Sequence, residues 1–140
     1  MWKKFNLESS KVQSGEVEIC RVKIDGYLDS STFPRLQDHL SQEIGNQHYN
    51  YLLDLRDLDY ISSAGLGVLM GMLREVREHA GDLKIVNMSD KIRRVFNLLG
   101  FSRLMQVYQS EEEALEAFSR KPEGEMPPTA EGEAENQEEF

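Results

Sequence analysis

Two adjacent serines, Ser62 and Ser63, stand between an apolar run (Tyr51, Leu52, Leu53 and Leu55) and a stretch of small residues, Ala64-Gly65-Leu66-Gly67-Val68. That composition predicts a strand, a turn and a helix, with two hydroxyls held at the helix N-terminus. Backbone N–H groups there lack intrahelical acceptors, and the helix dipole favours negative charge. A serine in this place can cap the helix, help to hold an anion, or carry a phosphate. Each chemistry makes its own demand on the surrounding chain.

Holding a nucleotide would require a glycine cradle. Gly65, Gly67 and Gly71 follow the serines as G-x-G-x-x-x-G, one residue longer than the dinucleotide fingerprint. Val86-Asn87-Met88 stands where an acidic residue would meet a ribose, and the glycines fall inside the expected helix. Enzyme chemistry finds little support. His39, His48 and His79 lack metal-ligand spacing, Cys20 is isolated, and Ser63 has no recognisable base or orienting acid. No catalytic residue, metal or cofactor is expected, and Cys20 reads as a small buried hydrophobe in a strand.

The elements that must position the serines follow from periodicity. Residues 16–24 alternate polar and apolar, a half-buried strand with Val17 and Ile19 inward and a register shift near Cys20 before Val22 and Ile24. Phe5 to Val12 is a weaker strand, joined to it through Gln13-Ser14-Gly15 as a hairpin. After Asp25-Gly26-Tyr27-Leu28-Asp29 leads out of the sheet, Ser30, Ser31 and Thr32 offer N-caps and Pro34 suits a first turn. Phe33, Leu36, Leu40 and Ile44 carry that helix to Gly45. A strand at about 50–55, a helix at about 64–80, a strand at Leu83–Val86, and a helix capped by Ser89-Asp90 and stopped by Gly100 follow. Leu104–Tyr108 is a last strand, and Ser110 with Glu113 is a capping box for a final helix.

Such alternation predicts parallel strands joined by right-handed crossovers. With the hairpin added, the expected fold is α/β: a mixed sheet of four to five strands with about four helices packed mainly on one face. Three serine-bearing loops would then lie at the C-terminal edge of the strands, where open α/β sheets place their working sites. They are Asp29-Ser30-Ser31, Ser62-Ser63-Ala64-Gly65 and Asn87-Met88-Ser89-Asp90, with plain capping the preferred role of Ser31 and Ser89. In the 64–80 helix, Leu66, Leu69, Met70, Leu73 and Val76 form the inward stripe. Val68 and Met72 fall outside it, and Gly67 and Gly71 make a bare ridge, so that Ser63, Gly67, Val68, Gly71 and Met72 mark a protein-contact face.

Charge separates the chain into two parts. Of 25 acidic residues, seven lie between Pro122 and Phe140, a stretch with no Lys or Arg; the other 18 face 16 bases, so most of the net −9 belongs to an appendage. Prolines, glycines and glutamates there cannot bury enough apolar surface to order a chain, so residues 121–140 are expected to be a disordered acidic tail on a domain of 1–120. The nearly neutral remainder argues against a nucleic-acid partner. The start lacks the apolar core of a signal peptide and no run approaches a membrane span, so a cytoplasmic protein without a membrane partner, monomeric when free, is expected.

From Asp54 to Leu69 the chain reads D-L-x-x-L-x-Y-I-S-S-A-G-L-G-V-L. This pattern resembles the signature of the STAS domain family, and most of all its small bacterial anti-sigma factor antagonists. Gly26-Tyr27-Leu28-Asp29, Lys84-Ile85-Val86-Asn87 and Phe96-Asn97-Leu98-Leu99-Gly100-Phe101 match in the same order, and the similarity covers residues 5–119. The resemblance implies a binding protein, not an enzyme: it engages an anti-sigma factor with serine kinase activity, frees a sigma factor, is switched off by phosphorylation of one serine, and is reset by a serine phosphatase. Ser63 matches the phosphoacceptor, with Ser62 a second candidate because many relatives carry Asp at that place. Asp29 matches an acidic position used in partner recognition. The partner surface is then expected at Asp29, Ser30, Ser62, Gly65, Gly67, Val68, Gly71, Met72, Met88 and Ser89. Two other functions fit parts of the pattern: an unphosphorylated STAS subunit of a lipid-transport or signalling complex, and a nucleotide-binding protein.

Overall fold

The computed structural model describes residues 4–119; the tail expected at 121–140 lies outside them. Strand β1 (Asn6–Ser14) and strand β2 (Val17–Leu28) pair antiparallel from Asn6↔Asp25 to Ser14↔Val17. The hairpin is tighter than the sequence predicts, since β1 runs on to Ser14 and leaves only Gly15-Glu16 in the turn. Helix α1 (Phe33–Gly45), strand β3 (Asn50–Asp54), strand β4 (Leu58–Ile61) and helix α2 (Ser63–Glu78) follow. Strand β5 (Asp82–Val86), helix α3 (Asp90–Leu98), strand β6 (Gln106–Tyr108) and helix α4 (Glu111–Ser119) complete the order.

The sheet is mixed and six-stranded, in the order β1-β2-β3-β5-β6 with β4 paired to β2 alone. Strands β2, β3, β5 and β6 run parallel, as the alternation predicts. β4 is an element that the periodicity does not reveal. It is four residues long, and it exists because the far end of β2 has a free edge: β2 pairs with β3 through Cys20–Lys23, then with β4 from Gly26↔Leu58, and after a register shift between Gly26 and Tyr27 through Tyr27↔Tyr60 and Leu28↔Ile61. Gly26 permits that shift. Its φ is 93°, and a Cβ there would meet the backbone O of Lys4 at 2.6 Å.

The sheet is covered on both faces. Helices α1, α2 and α3 bury Leu36, Leu40, Leu66, Leu69, Ile92 and Phe96 against Cys20, Val22, Ile24, Leu53 and Ile85. On the other face α4 sets Ala114 and Phe118 over Ile19, Leu52 and Val86. This removes the register shift expected near Cys20. β2 alternates without a break, Ile19 faces α4, and Cys20, Val22 and Ile24 face the larger core, so both sets are buried. The last strand is shorter than expected, because Phe101–Arg103 forms a 3₁₀ turn and Leu104 is exposed.

Candidate functional site

The β2–α1, β4–α2 and β5–α3 turns all follow the C-terminal ends of mutually parallel strands. Each is built by a short polar side chain that closes a local hydrogen bond. Ser62, with extended backbone, caps α2 by accepting from the Gly65 N–H at 3.1 Å. Ser89 caps α3 by accepting from the Ile92 N–H at 3.2 Å. Thr32 begins α1 differently: its hydroxyl donates to the Tyr27 carbonyl at 2.9 Å and accepts from the Asp29 N–H at 3.0 Å. Asp29 then closes an Asx turn, accepting from the Ser31 N–H at 2.9 Å and the Ser31 hydroxyl at 2.7 Å. These bonds, the hydroxyl first, hold the Asp29 carboxyl below its ordinary range, so it stays an anion at neutral pH.

Two of the turns touch. The Ser62 N–H donates to the Leu28 carbonyl at 2.9 Å, and Gly65 lies so close that an added Cβ would stand 2.9 Å from the same oxygen. Asp29–Ser31 and Ser62–Ser63 therefore form one surface. The third turn stands at the same end of the sheet, with α3 packed on β4. Ser63 is the first residue of α2 and is exposed, whereas the Ser62 hydroxyl is occupied by the cap.

The contact face predicted on α2 needs correction. Gly67 and Gly71 are exposed, and a Cβ at either would meet nothing within 4 Å. Val68 is half-buried against the core. Met72, however, is only 5% exposed and packs inside. Because α2 lies against both α1 and β5, its apolar arc must be wider than one stripe, and Gly65, Leu66, Leu69, Met72, Leu73 and Val76 are all buried. Met70, placed in the stripe by periodicity, is only half-buried. Gly65 and Met88 are buried too, so they shape the turns from beneath. Ser30 is exposed, and Asp29, Ser62 and Ser89 are half-exposed. The glycines 65, 67 and 71 all lie within α2, leaving no glycine loop ahead of the helix to wrap a nucleotide.

Sequence reading misses Asp54 as a positioning residue. Its buried carboxylate ends β3, accepts from the Arg56 N–H at 3.0 Å and from Asn87 Nδ2 at 3.2 Å, and meets Arg21 Nη2 at 3.4 Å. Asn87 has φ 60°, so Asp54 anchors the left-handed residue through which β5 enters its turn. The signal was an acid closing an otherwise apolar strand. Sequence reading also separates Cys20 from any partner, yet the fold brings its thiol to Glu43 and His48; among the described residues this is a group that could hold a metal ion. No helix of the described residues is long and apolar enough to cross a membrane.

Known proteins resemble this chain in sequence and in fold. The profile of the STAS domain matches residues 10–114. BtrV of Bordetella bronchiseptica, provisionally named an anti-sigma factor antagonist, is 33% identical over 95 residues, covering 68% of this chain and 82% of its own. The anti-sigma-B factor antagonist of Staphylococcus aureus is 32% identical over 91 residues, covering 65% of this chain and 84% of its own. Among solved structures, the anti-sigma factor antagonist SpoIIAA in its unphosphorylated form aligns with TM-score 0.66 at 23% identity, covering 79% of this chain and 93% of that one. The Bacillus SpoIIAA in its phosphorylated form aligns with TM-score 0.61, also at 23% identity and covering 79% of this chain and 96% of that one. With the six-stranded mixed sheet, four helices and serine-capped turns of its described residues, the chain belongs to the STAS domain family, alongside the anti-sigma factor antagonists.

Proposed function

We propose that this protein is an anti-sigma factor antagonist: a cytoplasmic binding protein, not an enzyme, that engages a serine-kinase anti-sigma factor and so releases a sigma factor. Phosphorylation of Ser63 by that partner ends the complex, and a serine phosphatase restores it. One observation carries the choice of residue. Ser63 opens a helix with its side chain exposed, while the neighbouring Ser62 hydroxyl is engaged by the Gly65 N–H. Existence of a relative solved in a phosphorylated form supports the same reading.

The physics explains how a phosphate would switch binding without unfolding the domain. A phosphoserine brings about −1.5 to −2 charges, which a helix N-terminus tolerates or welcomes. A partner packed against the Asp29–Ser31 and Ser62–Ser63 surface already faces the Asp29 carboxylate. Adding a dianion beside it without a cationic mate leaves a buried charge unpaired, and a penalty of about 2.7 kcal/mol lowers affinity a hundredfold. The test pairs the chain with its kinase and ATP, maps the modified residue by mass spectrometry, and measures binding of Ser63→Asp by calorimetry. One phosphate on Ser63, together with a folded Ser63→Asp variant that binds about a hundredfold more weakly, is the expected result. An unmodified chain that still binds its partner would mean an unphosphorylated interaction subunit instead.

A further inference from the structure

A second cluster of reactive side chains lies at the other end of the parallel strands. Cys20 is on β2 opposite Tyr51, in the early part of β3, and stands eight residues before Leu28, about 26 Å along an extended strand. Glu43 projects from the last turns of α1, and His48 lies in the loop between α1 and β3. Their ligand atoms, Cys20 Sγ, a Glu43 carboxylate oxygen and a His48 ring nitrogen, all lie within 4.8 Å of one another. Cys20 is buried, and the other two are half-buried.

The distances suit a small ion. A tetrahedral zinc site with a thiolate at 2.3 Å and N or O ligands near 2.0 Å sets S···O at about 3.5 Å and N···O at about 3.3 Å. Here Cys20 Sγ is 3.7 Å from Glu43 Oε1, and His48 Nδ1 is 2.7 Å from the same oxygen. To admit an ion, the imidazole and carboxylate must separate by about 0.6 Å, and the sulfur and ring nitrogen, within 4.8 Å of each other, must come to about 3.5 Å. We propose that Cys20, Glu43 and His48 form a binding site for a borderline transition-metal dication of the zinc type, with water as the fourth ligand.

The supporting shell has the form that metal-bound histidines use. With Nδ1 on the ion, His48 Nε2 faces Glu18 Oε1 at 3.5 Å, the carboxylate partner that orients such a ring. Tyr51, buried beneath, donates its hydroxyl to the His48 carbonyl at 2.7 Å and so fixes the loop that carries the ligand. The carboxylate already accepts a cation: Lys11 Nζ lies 3.3 Å from Glu43 Oε1, on a side chain exposed enough to retire into water. Burial, aided by Glu43, pushes the Cys20 thiol up to about 12. A metal replaces that proton, which leaves to solvent as the sulfur–metal bond forms. Thiolate, imidazole and carboxylate together favour zinc over the hard, oxygen-seeking magnesium and calcium ions.

The experiment titrates the full chain with Zn²⁺ alone by calorimetry and with Co²⁺ by absorption. One ion per chain is expected, with a thiolate-to-cobalt charge-transfer band that Cys20→Ser abolishes. His48→Gln and Glu43→Gln, which each remove a ligand, should weaken binding by more than the roughly 10- to 100-fold that loss of an outer-shell partner costs, while His79→Gln leaves it unchanged. Absence of the thiolate band in wild type, whatever the variants do, overturns the assignment. So does zinc binding that persists in both Cys20→Ser and His48→Gln, the pattern that glutamates elsewhere in the chain would give.

Discussion

Replacing each of the two serines by alanine should produce opposite signatures. The Ser62 hydroxyl accepts from the Gly65 N–H at 3.1 Å, and Gly65 is buried beneath the Leu28 carbonyl. Water cannot readily reach that N–H once the hydroxyl is gone, so the loss lies in the upper part of the range for an N-cap, about 1–2 kcal/mol. For a domain of this size each kcal/mol is worth about 3–6 °C in Tm. Ser63 is the first helical residue and is exposed, where alanine is the better helix former; Ser63→Ala should therefore leave stability within about 0.5 kcal/mol. Urea unfolding followed by far-UV circular dichroism reads both as a change in midpoint at constant slope. A kinase assay on the same variants should show phosphate transfer to Ser62→Ala and none to Ser63→Ala. Equal destabilisation by the two changes would refute the division of labour, and transfer to Ser62 in the Ser63→Ala protein would refute the choice of acceptor.

Other outcomes follow from the same geometry. Gly65→Ala sets a Cβ 2.9 Å from the Leu28 carbonyl and 3.2 Å from Ile61 Cγ1, so it should cost about 1–3 kcal/mol. Gly67→Ala, with open space around it, should match or exceed wild-type stability by up to about 1 kcal/mol and yet weaken partner binding; a Gly65→Ala protein as stable as wild type would contradict the packing. Asp54→Ala strips the Asn87 amide and the Arg56 N–H of their acceptor and should cost about 2–4 kcal/mol by denaturant titration, with Asp54→Asn milder; an Ala variant within error of wild type would show that the anchor is idle. Cys20 gives an alkaline signature. Its folded pKa, pushed up to about 12, exceeds the ordinary 9.0, so its contribution is complete below pH 9 and is lost as pH rises toward 12, at no more than about 1.4 kcal/mol per pH unit. Metal-free wild type should therefore lose more stability between about pH 8 and about pH 10 than Cys20→Ala does, and equal slopes would count against the thiol as the cause.

Much of this molecule is written locally. Ser62, Ser89 and Ser110 are caps because a hydroxyl before a helix finds an N–H within three residues, and all three bonds are present. Leu36 and Leu40, or Ile92 and Phe96, are buried at helical spacing. β4 was hidden because its stability comes from the exposed edge of β2, more than thirty residues earlier in the chain. Met72 was misplaced because a single stripe assumes one neighbour, and α2 has two. The continuity of β2 was obscured because alternation reads as one buried face, whereas α4 buries the other.

The adjacency of the serines, their place ahead of a helix and the order of strands and helices follow from residue types and short-range spacing, since caps, turns and amphipathic periods are interactions among near neighbours. Where α2 begins, and so which serine stands at the cap and which is left exposed on the helix, was decided by tertiary structure, because the Leu28 carbonyl receives the Ser62 N–H and leaves no room for a Cβ at position 65. The meeting of Cys20, Glu43 and His48 was decided there as well. They are 23 and 28 residues from the cysteine, on three separate elements, and only the packing of α1 against β2 brings sulfur, oxygen and nitrogen within reach of one ion.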